Sequence, residues 1–91
     1  MAVMPTQHHH QVGRHILEVI AKDGSQSAEA IREGWSATNG PGERPSESVY
    51  NDVVQMLIDP GKYLVRDDDG DLSLTSDGQK VASGGDFILG R

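Results

Sequence analysis

Ser48, Asn51 and Gln55 are the side chains of this sequence best equipped to read another molecule. Asn and Gln carry a donor and an acceptor side by side, matching the paired groups on an adenine edge, and Ser bonds equally to bases or phosphates. Their spacing puts all three on one face of a helix. Arg44, Lys62 and Arg66 stand before and after them and could meet phosphates. The helix itself, however, has no Lys or Arg, and Glu47 and Asp52 flank the reading face. Carboxylates so placed repel phosphate, more strongly at low salt. The same residues also read as an ordinary solvated face.

Two other groups invite chemistry. Asp67, Asp68, Asp69 and Asp71 crowd one turn, but a calcium loop with its glycine at Gly70 would need acids where Val65 and Ser76 stand. The run therefore reads either as a solvated turn or as a patch for a basic protein partner. His8, His9 and His10 are consecutive and His15 follows. No two stand three or four apart, the spacing by which one helix chelates a metal. No nucleophile, base and orienting acid assemble in the sequence either. The expectation is a protein that is not an enzyme, with no metal and no cofactor.

The elements that must position these residues are legible. Residues 1–7 form an arm, 8–82 a domain and 83–91 a tail carrying Phe87, Ile88 and Leu89. A first helix over 8–22 gathers Val12, Ile16, Val19 and Ile20 on one face, and Asp23-Gly24 ends it. Ser27 caps a short second helix with Ala28, Ile31 and Trp35 inward; the lone tryptophan reads as a plug between helices. Residues 36–45 replace a usual turn of three or four residues with a Gly- and Pro-rich loop. This loop is either a tolerated surface insertion or a specificity loop placing Arg44 beside the third helix. In that helix Val49, Val53, Met56 and Leu57 make an apolar stripe, and Pro60-Gly61 stops it, with the glycine accepting the reversed backbone. Tyr63-Leu64-Val65 and the alternation around Leu72 and Leu74 are two strands, joined by Asp69-Gly70 with positive backbone angles.

Ser48-Val49-Tyr50-Asn51, Gly61-Lys62-Tyr63-Leu64-Val65-Arg66 and Leu74-Thr75-Ser76-Asp77-Gly78 resemble winged-helix modules of MarR-like, PadR-like and penicillinase-repressor-like regulators. The resemblance implies an α+β winged helix of three helices plus an antiparallel β-hairpin wing, with the third helix offered to the major groove and the hairpin to the flanking backbone. Ser48, Asn51 and Gln55 would then face bases, and Arg44, Lys62 and Arg66 phosphates. Some such modules bind proteins instead. In that alternative Asp67, Asp68, Asp69, Phe87, Ile88 and Leu89 form the partner surface and DNA is not bound.

Composition bounds both readings. Ninety-one residues make one small domain, and Leu, Ile, Val and Phe are about a fifth of them, near the ~20% level below which chains fail to fold. So thin a core makes a second copy of the chain a candidate partner. Fourteen acidic and eight basic residues give a net charge of −6, opposite in sign to most DNA binders, where phosphate neutralisation dominates affinity. Without cysteine there is no disulfide or thiol chemistry. No apolar run is long enough to span a membrane, and the first residues lack the pattern of a signal peptide, so a cytoplasmic location is expected.

Overall fold

The protein is described from a computed structural model that covers residues 7–35, 43–59, 61–85 and 87. Its elements run α1 (Gln7–Asp23), β1 (Gln26–Ser27), α2 (Ala28–Glu33), α3 (Glu47–Ile58), β2 (Leu64–Arg66), β3 (Asp71–Leu74) and α4 (Ser76–Ala82). This is an α+β arrangement of four helices and a three-stranded antiparallel sheet, ordered β1-β3-β2. Beside the expected three helices and two strands there is a fourth helix and a third strand. The chain after β3 forms a full helix, α4, and Gln26 and Ser27 pair with Leu72 and Asp71 to add a strand.

α1 turns a continuous face inward. Val12, Gly13, Ile16, Leu17 and Ile20 are buried, and the helix packs on α3, α4 and β3. Leu17, outside the stripe of Val12, Ile16, Val19 and Ile20, is also fully buried in the core. Gly24 ends α1 with φ +91°, its N–H donating to the Ile20 carbonyl at 2.8 Å. Ser27 then serves twice, as strand partner of Asp71 and as N-cap of α2, its hydroxyl accepting from the Ala30 N–H at 3.1 Å. β1 and α2 are thus fixed through one residue.

In α3 the buried set is Tyr50, Val53, Val54 and Leu57, while Val49 and Met56 are only half-buried. The stripe is rotated relative to the expected one because Tyr50 behaves as a core residue. Its ring meets Trp35 edge-on at 6.4 Å, and its hydroxyl donates to the Ala28 carbonyl at 2.7 Å, which satisfies the polar end of a buried side chain.

The reversal after α3 also differs from expectation. Pro60 lies outside the described residues, and the left-handed backbone falls on Lys62, φ +59°, rather than on Gly61. Gly61 is needed for space: a Cβ there would stand 2.7 Å from the Met56 carbonyl oxygen. Three N–H groups close the helix end, those of Gly61, Lys62 and Tyr63 donating to Met56, Ile58 and Leu57. Thr75 then ties this turn to α4. Its hydroxyl donates to the Lys62 carbonyl at 2.6 Å and accepts from the Gly78 N–H at 3.1 Å.

Candidate nucleic-acid interface

Three residues of α3 stand clear of the core. Ser48, Asn51 and Gln55 are all exposed, as the helical spacing predicted. The Ser46 hydroxyl caps the helix by accepting from the Val49 N–H at 3.3 Å, so the first turn is held where Ser48 begins the outer face. Glu47 is exposed beside it and Asp52 is half-buried.

The expected phosphate contacts flank this face at separate places. Arg44 is exposed before α3 and Lys62 beyond its far end. For a helix of 12 residues these ends are about 18 Å apart. Arg44 is anchored: its guanidinium donates to the Glu33 carbonyl at 3.0 Å, at the C-terminus of α2. One such bond leaves several of the five guanidinium donors for another ligand. Arg66 ends β2, opposite Leu72 in the register, and is exposed.

Sequence reasoning passed over Arg32, whose Nε donates to the Pro45 carbonyl at 3.2 Å. With Arg44 it straps the end of α2 to the segment entering α3, across residues 36–42, which lie outside the described residues. Arg32 also borders a groove between α2 and α3 of about 310 Å³, lined among others by Glu29, Glu33, Glu47 and Asn51. Three carboxylates against one guanidinium make this groove acidic. Burial pushes the Tyr50 hydroxyl well above the ordinary tyrosine range, opposed by the nearby Arg32 charge, so Tyr50 stays a neutral hydrogen-bond donor.

The hairpin tip is built by its first aspartate. The Asp67 carboxylate accepts from the N–H groups of Asp69 at 3.0 Å and Asp71 at 2.9 Å. The Asp67 N–H donates to the Asp71 carbonyl, and the Asp67 carbonyl accepts from Gly70. Of the expected Asp69-Gly70 pair only Gly70 has a positive φ, at +87°. Asp67 is therefore a turn-forming residue, as short acidic side chains are in Asx turns, and Asp67, Asp68 and Asp69 are all exposed. Of the apolar tail, Phe87 is half-buried and packed against the core. Ile88 and Leu89 lie outside the described residues.

Trp35 is the plug expected of it, 4% exposed, with its ring edge-on to His15 at 4.4 Å. Its Nε1 is buried with no hydrogen-bond acceptor among the described residues. His15 is held below its ordinary pKa of 6.5 by burial, with Glu18 pulling the other way. Because the folded chain disfavours the imidazolium, the unfolded chain takes up more protons in this window. The His15 contribution is complete above pH about 6.5 and is lost as pH falls toward the lowered folded value. The melting temperature should therefore decline between pH 7.5 and 5.5, and His15→Gln should flatten that decline. An unchanged slope in the variant would show that His15 is not the group responsible.

Among the described residues no group of three or more His, Asp or Glu is placed to hold a metal ion, and no helix is long and apolar enough to cross a membrane. No family model, curated protein or solved structure matches the chain.

Proposed function

We propose that this chain is a winged-helix DNA-binding module of the transcriptional-regulator type. α3 enters the major groove and the β2–β3 hairpin lies on the flanking backbone. What carries the reading is the exposed outer face of α3. Ser48, Asn51 and Gln55 share it, and each can bond to a base edge or a phosphate. A cation beyond each end of a helix about 18 Å long suits a groove about 12 Å wide with phosphates on both rims. The order helix, strand, helix, helix, hairpin supports the winged-helix assignment.

The net charge of −6 shapes what binding would look like. With about three phosphate contacts per subunit, the slope of log K against log salt should be about −3, or about −5 for a dimer. Arg66→Ala should weaken all sequences alike and reduce the slope by about one per subunit. Asn51→Ala should instead erode preference for one base pair, by about 1–3 kcal/mol. A second reading rests on the acidic groove between α2 and α3: a winged helix that takes a basic protein segment there and leaves DNA alone. Titration of the full chain with random and genomic duplexes at low salt separates the two. Binding with a shallow salt slope upholds the regulator reading, and its absence from every duplex promotes the protein-binding one.

A further inference from the structure

The Phe87 ring sits against residues far from it in sequence. It meets His10 edge-on at 5.7 Å and Tyr63 at 5.2 Å between ring centroids, and the Arg14 guanidinium carbon lies 5.9 Å from its centroid. Gly13 is the floor of this seat. A Cβ built on it would fall 2.9 Å from the Phe87 Cζ, so any larger residue would push the ring outward. Glycine inside a helix is unfavourable compared with alanine, and Gly13 has no positive φ that would require it. Space for a ring is what this glycine provides. Arg14, next in sequence, donates to the Val81 carbonyl at 3.3 Å and the Gly85 carbonyl at 3.1 Å. One guanidinium thus holds both the end of α4 and the strand of chain leading to Phe87.

Gly13 and the Tyr63 backbone are set by the fold outside the tail. Gly13 is buried within α1. Tyr63 is fixed by its N–H on the Leu57 carbonyl at 2.8 Å and its carbonyl under the Thr75 N–H at 3.1 Å. Phe87, by contrast, hangs beyond Gly84 and Gly85, with Gly84 at φ +104°. We propose that His10, Gly13, Arg14 and Tyr63 form a binding site for an aromatic side chain carried on a short peptide segment. The resident occupant is this chain's own Phe87, which makes that ring a latch that can leave the seat. A ring on so short a tether presents itself at an effective concentration on the order of millimolar, so a free peptide competes poorly with it. Removing the resident ring should make the site available.

The test uses the full chain and two probes, the peptide of residues 83–91 and the same peptide with alanine replacing its phenylalanine. The Phe87→Ala chain should bind the first peptide at least tenfold more tightly than the unmodified chain does, and neither chain should bind the second. Gly13→Ala should lower the melting temperature of the unmodified chain, where the new methyl evicts the ring. In the Phe87→Ala background it should raise that temperature by about 4–8 °C, as glycine-to-alanine changes in helices do. Equal peptide affinity for the two chains, no peptide binding at all, or one sign of the Gly13→Ala effect in both backgrounds would each overturn the proposal.

Discussion

Leu57→Ala should destabilise the protein by roughly 2–5 kcal/mol. Leu57 is fully buried on α3 among Val53, Leu64 and the other core residues, and its carbonyl receives the Tyr63 N–H that turns the chain into β2. Truncating it removes apolar area and leaves a void that α1 and the hairpin, both fixed by other contacts, cannot collapse to fill. A small domain has only about 5–15 kcal/mol in hand, and here large aliphatic residues are scarce. A loss of this size should bring the chain close to unfolding at physiological temperature. Gln55→Ala, two positions earlier and exposed, should change stability by no more than about 0.5 kcal/mol. Urea unfolding of the two variants, followed through the fluorescence of the single tryptophan, measures both. Similar midpoints would mean that the face of α3 assigned to the core is wrong.

The helix phase in that prediction was partly visible in the sequence. Val53 and Leu57 mark the buried side by periodicity alone, and Ser48, Asn51 and Gln55 mark the opposite side. The missing part is Tyr50. Counted as a polar tyrosine it shifts the apparent stripe toward Val49 and Met56. Counted as an aromatic three and seven residues before Val53 and Leu57, it would have centred the stripe correctly. Nothing local reveals that its hydroxyl reaches the Ala28 carbonyl at 2.7 Å, since that partner lies on another helix.

The same division holds elsewhere. Caps and turns are local chemistry, so Ser27 and the Asp-rich turn were readable. The Asp67 carboxylate that organises the turn was not singled out, because four aspartates compete on paper and only the hydrogen bonds choose among them. The two-residue strand β1 carries no alternating pattern and exists only through its pairing with Leu72 and Asp71. Arg32 was passed over and Arg44 was read only as a phosphate contact, because their carbonyl partners at Pro45 and Glu33 depend on how α2 meets the start of α3. The candidate interface was thus legible where it follows helical spacing and illegible where it depends on long-range contacts.

Gly78 shows that limit most sharply and gives the other large effect. It stands in the first turn of α4, and replacing glycine by alanine in a helix normally gains about 1 kcal/mol. In the structure the sign should reverse. Gly78 is buried in α4, and a Cβ there would collide with the Tyr63 carbonyl oxygen, with the Tyr63 carbonyl carbon 3.1 Å away and Leu74 Cδ2 3.2 Å away. A side chain could rotate aside, but the obstacle here is backbone. That carbonyl also accepts the Thr75 N–H at 3.1 Å, so it cannot retreat without breaking the bond that joins the base of the hairpin to α4. Gly78→Ala should therefore force α4 off the hairpin at a cost of about 1–3 kcal/mol, lowering the melting temperature by about 4–8 °C for each kcal/mol. Gln79→Ala, next in sequence and exposed, should leave it nearly unchanged. If the hairpin serves DNA as proposed, Gly78→Ala should also weaken binding at temperatures where the chain is still folded, because β2, which carries Arg66, begins directly after Tyr63. A Gly78→Ala chain melting at or above the temperature of the unmodified protein would show that α4 does not rest on the Tyr63 backbone.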